Sequence, residues 1–198
     1  KAMGALDMGL HEEELPEIVK LWRNASPRIR DLWYAVENAA VYTVTTGNPI
    51  GLDHGIMFRL EIDPIYGYRY MTIELPSGRK LFYPSPSIKQ NAFGKDAVHF
   101  KTKVNDAWVT ENTYGGKLVE NITQAVARDC LALTLRRLAD VGYQIIMHIH
   151  DEAVLEINKE NAESTLDDVN AIFSIDIPWA DGLLLSSAGF TNDYYMKD

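Results

Sequence analysis

The apolar residues of this sequence change their repeat twice, and that change limits the fold more than any single motif. Leu15, Ile18, Val19 and Trp22 fall at helical spacing, with Glu12, Glu13 and Glu14 in the first turn, where the helix dipole favours acids. The spacing predicts a helix over 11–24. Ser26-Pro27 reads as a cap with proline at the first helical position. It opens a second helix through Ile29, Leu32, Trp33, Val36 and Ala40 that stops at Gly47-Asn48-Pro49. From Gly55 to about Val109 the repeat shortens to alternation. Short runs appear at Ile56 to Ile62, Tyr68 to Leu75, Lys80 to Tyr83 and Val98 to Val104, separated by Pro64, Pro76-Ser77-Gly78 and Pro84-Ser85-Pro86. Helical spacing then returns from Gly115 to Val141. A strand from Tyr143 to Ile149, a turn at His150-Asp151-Glu152 and a strand from Ala153 to Ile157 follow it. A helix over 162–173 and a last strand through Leu183, Leu184 and Leu185 complete the pattern. The expected class is α+β in three segments: a helical pair over 1–48, an antiparallel β insert over 49–112, and a helix plus hairpin with a closing helix and strand over 113–198.

With 198 residues, 46% of them hydrophobic, the chain can bury a sizeable core. Its one cysteine, Cys130, lies inside an apolar helical pattern. That excludes a disulfide framework, fits a reducing compartment and predicts a buried, inert thiol. No apolar run reaches the roughly 18 residues of a membrane span, and the opening run KAMGALDMGL has the look of mid-chain sequence rather than a targeting signal. The cytoplasm is the expected compartment. A net charge of −9 opposes nucleic-acid binding taken as an average, but much of the excess is local, at Glu12 to Glu17 and between Glu160 and Asp168.

The hairpin strands are apolar, yet their connection is His150-Asp151-Glu152, with His148 two residues earlier. Tight hairpin turns favour glycine, which is missing here. Adjacent carboxylates at a strand junction add little to stability. They suit a hard divalent cation such as magnesium, which takes one or two carboxylates and completes its shell with water and phosphate oxygens. A solvated acidic turn is the plain alternative. A zinc site built on His148, His150 and Asp151, as in a small metal-dependent hydrolase, is another, although His11, His54 and His99 supply no ligand-rich neighbourhood for it.

On the preceding helix Lys117, Asn121, Gln124 and Arg128 follow at spacings of four, three and four, which places them on one face. Donors of this kind reach phosphates and the minor-groove acceptors common to all base pairs. A merely solvated face would look the same. Farther on the face becomes Leu131, Leu135 and Leu138, so one end of the helix enters a core. If helix and hairpin pack antiparallel, the polar end lies near the turn.

The run TYGGKLVENITQAVARDCLALTLRRLADVGYQIIMHIHDEAVLEI resembles the family A (DNA polymerase I-like) DNA polymerase segment in which a palm helix bearing Gln precedes the His-Asp-Glu of motif C. PEIVKLWRNASPRIRDLWYAVENAA, LPSGRKLFYPSP and IPWADGLLLSSAGFTNDYYMKD resemble the phage and prophage branch of that family. The resemblance implies the carboxy-terminal part of such an enzyme, a palm portion with part of the fingers. Asp151 and Glu152 then belong to the metal-binding carboxylates, and His150 lies at the primer terminus. Gln124 contacts the minor-groove side of the nascent pair, with Asn121, Lys117 and Arg128 as further DNA contacts; Glu120 stands where many relatives carry Asn. The implied cofactor is two Mg²⁺ ions, with Mn²⁺ as a substitute. The implied partners are primer-template DNA, deoxynucleoside triphosphates and the rest of the polymerase: the first catalytic Asp, a fingers helix with Lys and Tyr, and the thumb. The 198-residue chain alone is expected to be inactive. A non-catalytic α+β module is the rival reading.

Overall fold

In the computed structural model, residue 9 and residues 11–196 are described; most of the opening run, including Gly4, lies outside them. The class is α+β. Helix α1 (Leu15–Ala25) follows a short 3-10 turn at Glu12–Glu14, where the Glu14 carboxylate accepts the His11 N–H at 2.8 Å. Helix α2 (Pro27–Thr46) ends on Gly47 at φ 76, a left-handed cap that costs glycine little. Ser26 holds the cap position before α2 without a side-chain cap bond; its N–H bonds back to Trp22 and so closes α1.

Two antiparallel arrays follow. Strands β1 (Ile50–Gly51), β2 (Met57–Ile62), β3 (Arg69–Glu74) and β4 (Lys80–Pro84) form a four-stranded sheet in chain order. Strands β5 (Ser87–Gln90), β6 (Asp96–Val104) and β7 (Ala107–Asn112) form a three-stranded one. Helix α3 (Gly115–Asp140), the hairpin β8 (Gln144–Ile149) and β9 (Glu152–Glu156), and helix α4 (Ala162–Phe173) complete the elements.

The chain divides into two compact units. The first holds the residues up to Leu52, Met57–Thr72 and Phe82–Glu120; the second holds Asp53–Ile56, Ile73–Leu81 and everything from Asn121 onward. In the first, α2 packs on β1, β2, β5 and β6, burying Val36, Ala39, Ala40, Phe58, Met71, Val98 and Leu118. Each large side chain so removed from water contributes about 1.5–3 kcal/mol. The start of α3 belongs to this unit and touches α2 at Gly115, where a Cβ would lie 2.0 Å from the Trp33 carbonyl oxygen. Only glycine permits that approach. In the second unit Ile73, Leu75, Ile122, Ala125, Leu131, Leu138 and Ile177 are buried. Arg137 of α3 donates to the carbonyls of Ile175 and Asp176 at 2.9 and 2.7 Å, which ties the helix end to the turn after α4.

The strand expected through Leu183, Leu184 and Leu185 does not form. A strand needs a neighbour to receive its backbone groups, and here the Leu183 N–H bonds within a turn to Ala180 while Leu184 is 90% exposed. The tail instead returns to α4. Ser187 donates to the Asn170 side chain at 2.8 Å, and Gly189 sits so close to Leu166 that a Cβ would meet it at 2.8 Å.

Candidate active site

The connection between β8 and β9 is shorter than the three-residue turn read from sequence. Ile149 pairs with Glu152, so the loop is His150-Asp151 and Glu152 is the first residue of β9. Of the two loop residues only His150 has a positive φ, 51°. That region is costly for an ordinary L-residue and comfortable for glycine, although His enters it more often than most. His150 and Asp151 are exposed and Glu152 is half-buried. No side-chain hydrogen bond or ion pair with the described residues holds any of the three. Two carboxylates therefore stand at the tip of a strained turn without a stabilising partner, which is the reverse of a turn selected for stability.

The ladder of this hairpin is irregular. Ile145 pairs with Leu155 and Met147 with Val154, leaving Ile146 as an extra residue. The bulge keeps Ile145 and His148 on one face despite a spacing of three, and bulges commonly re-aim side chains beside functional sites. On that face His148 meets α3. The Arg128 guanidinium lies 3.3 Å from His148 Nε2, and since Arg can only donate, the imidazole accepts there and carries its proton on Nδ1. This contact brings one member of the helix stripe to the strand that leads into the turn.

The other stripe residues divide. Asn121 is half-buried and Gln124 exposed, both in the second unit with Arg128 and the hairpin. Lys117 lies in the first unit, where its ammonium is 3.3 Å from the Glu111 carboxylate. The stripe contains no acid, yet one of its two cations, Lys117, is partly offset by one.

Sequence reasoning missed Asp129. Its two carboxylate oxygens accept from Ser77 and from Arg79 Nε, both at 2.5 Å, while Arg79 also donates to the Ala125 carbonyl at 2.8 Å. The turn between β3 and β4 thereby grips α3 within the second unit, one residue from Arg128. A signal was present: Ile122, Ala125 and Asp129 share a buried helical stripe, and a carboxylate on such a stripe needs a partner. Cys130 beside it is buried, and desolvation, then the neighbouring Asp129 charge, raise its thiol pKa.

For metals the donor chemistry is selective. Asp151 and Glu152 offer hard oxygen ligands, as magnesium prefers, but only as a pair. Among the described residues no three His, Cys, Asp or Glu side chains converge on one point, so His148, His150 and Asp151 do not assemble into the triad that zinc needs. His148 is committed to Arg128 instead. Among the described residues no helix is long and apolar enough to cross a membrane.

With this geometry in view, one relative is informative. The chain is 49% identical over 198 residues, 99% of its length, to a protein of Bacillus phage SP02 named DNA polymerase. The match spans only 29% of that relative. No protein-family profile matches the chain, and no solved structure does.

Proposed function

We propose that this chain is the segment of a family A-type DNA polymerase that carries motif C and the glutamine-bearing palm helix. The observation that carries the reading is the 49% identity, across 99% of the chain, to a phage DNA polymerase. The exposed Asp151 and half-buried Glu152 at the strained tip of the hairpin support it from the side of chemistry.

The reaction is attack of a primer 3′-hydroxyl on the α-phosphorus of a deoxynucleoside triphosphate, with pyrophosphate leaving. Two magnesium ions, when bound, would supply Lewis-acid stabilisation of the attacking and leaving oxygens. Asp151 would contribute the negative charge that holds a divalent ion against the phosphates, and Glu152 would support it. A single carboxylate pair is half of such a site. The remaining ligand and the grip on the triphosphate come from parts of the polymerase outside this segment. His150 lies where the primer terminus would be read, and Gln124 on the exposed face of α3 offers an amide to the minor groove, where acceptors are common to all base pairs. Asn121, Lys117 and Arg128 extend that contact; Arg128 reaches it only by sharing its guanidinium with His148.

The test uses the polymerase that contains this segment. Asp151→Asn keeps the shape and removes the charge, so single-turnover incorporation should fall by roughly three or more powers of ten while primer-template affinity stays near wild type. Gln124→Ala removes one positioning hydrogen bond and should cost about 1 kcal/mol, up to about 3 if it aligns the primer. An Asp151→Asn polymerase that incorporates nucleotides at close to the wild-type rate would show that the turn is only solvated.

A further inference from the structure

The second surface of interest lies in the first unit, on the sheet β5-β6-β7, and the polymerase reading gives it no role. Its register settles which side chains share a face. Lys89 pairs with Ala97, Lys101 with Thr110, and Lys103 with Trp108. Directly opposed residues project to the same side, and so do alternate residues along a strand. Lys89, Lys101, Lys103, Trp108, Thr110 and Asn112 therefore lie on one face, together with His99, which pairs with Asn112. The strand acids Asp96 and Glu111 fall on the opposite face with Val98 and Phe100. On a chain of net charge −9 this segregation stands out: three lysines, an imidazole, two hydroxyls (Ser87 and Thr110) and an amide share a face with a tryptophan, and no strand carboxylate interrupts them.

At the start of β6 both faces are covered, with Ala97 buried and His99 half-buried on the lysine side; toward the β6–β7 turn the lysine side opens to solvent. Val98 is 2% exposed and Phe100 meets the Tyr83 ring edge-on at 5.0 Å. On the basic face Lys89, Lys101, Lys103, Thr110 and Asn112 are exposed, and Trp108 is 65% exposed although it sits in a strand directly beside Lys103. Among the described residues the ion pair made on this face is that of Lys103 with Asp106 in the β6–β7 turn, at 2.7 Å, with side chains 56% and 94% exposed. A pair so open to water neutralises its lysine only weakly.

We propose that this face binds single-stranded nucleic acid, with Trp108 stacking on an unpaired base and Lys101, Lys103 and Lys89 following the phosphates. Charge complementarity selects a polyanion, and the exposed indole selects one whose base faces are open. A duplex keeps those faces inside its own stack. Stacking on an aromatic ring is tolerant of sequence, so no base preference is expected.

The experiment measures fluorescence anisotropy of a labelled oligothymidylate, longer than roughly 16 nucleotides, titrated with the 198-residue chain at low salt. Trp108→Ala should weaken binding roughly 5- to 150-fold. Lys101→Glu with Lys103→Glu should weaken it at least as much and flatten the salt dependence by about 0.7 per lost phosphate contact. Asp106→Asn frees Lys103 at a position whose φ of 64° suits Asn, and should tighten binding. Lys20→Glu with Arg23→Glu, an equal charge reversal on exposed α1, should change little. The substituted side chains are exposed, so circular dichroism should show each variant folded. Unchanged affinity in the Trp108 and lysine variants, an equal loss with the Lys20→Glu, Arg23→Glu pair, or equal affinity for a blunt duplex overturns the proposal. The readout is affinity rather than incorporation, so this face can fail while the Asp151 reading stands, and the reverse.

Discussion

Two hairpins of this chain close with two-residue loops, and they are built to different ends. Between β6 and β7 the loop is Asn105-Asp106, both left-handed at φ 47° and 64°, and the ladder runs without a shift from His99–Asn112 to Val104–Ala107. Asn and Asp are the non-glycine residues that enter this conformation most readily, so the turn obeys ordinary hairpin chemistry. Between β8 and β9 the loop is His150-Asp151, only His150 is left-handed, and the ladder carries a bulge at Ile146. One turn suits its backbone. The other carries an imidazole and a carboxylate in its loop, with the Glu152 carboxylate opening β9, and only one of its two loop residues takes the left-handed conformation that tight hairpin loops favour.

The largest expected effect concerns the ion pair that each region contains. Asp129 has a side chain only 10% exposed and accepts from both Ser77 and Arg79, whereas Asp106 is 94% exposed and faces Lys103 alone. Asp129→Ala strips two donors of a shielded, charge-assisted acceptor and should lower stability by about 2–3 kcal/mol. Asp106→Asn should stay within about 0.5 kcal/mol. Urea midpoints at constant slope check both. Similar shifts for the two would mean that the anchor beside the second hairpin is no stronger than a surface contact.

The next effect is kinetic. In the polymerase proposed to contain this segment, His150→Gly relieves the backbone and deletes the imidazole, so single-turnover incorporation should fall by roughly tenfold or more if that ring orders the primer terminus. Asn105→Gly should leave incorporation within about twofold, because the first hairpin only has to turn. Comparable rates for the two variants would erase the functional half of the contrast.

How much of this was legible follows from where each feature's cause lies. The helices rest on local spacing and caps, and α4 falls at Ala162–Phe173 as the pattern predicts. Strands β5 and β7 were not foreseen. Ser87–Gln90 contains one large apolar residue and Ala107–Asn112 is mostly exposed, so neither carries the alternation that marks a half-buried strand; both owe their existence to pairing with β6. The Leu183 to Leu185 run had the right composition and no partner. At the candidate site the residue types were legible because His-Asp-Glu is poor turn chemistry. The two-residue loop and the bulge depend on which residues of β8 and β9 pair, and the Arg128–His148 contact and the Asp129 clamp join residues 20 and 50 or more apart in sequence, which spacing along one element does not encode.

The smallest effect is the sharpest test of the backbone argument. A left-handed φ costs an L-residue about 1–2 kcal/mol, and replacing it by glycine returns that cost less the roughly 0.5–1 kcal/mol of chain entropy that glycine gives up on folding. His150→Gly should therefore stabilise the chain by about 0.5–1 kcal/mol, since no side-chain hydrogen bond, ion pair or ring contact with the described residues is lost. Asn105→Gly starts from a residue that tolerates the conformation, so its gain should be close to zero. Thermal or urea unfolding of the two single variants separates them in sign and order. If His150→Gly is neutral or destabilising while Asn105→Gly stabilises, the strain at the His150 turn is not real, and the positive φ there says nothing about why a histidine occupies it.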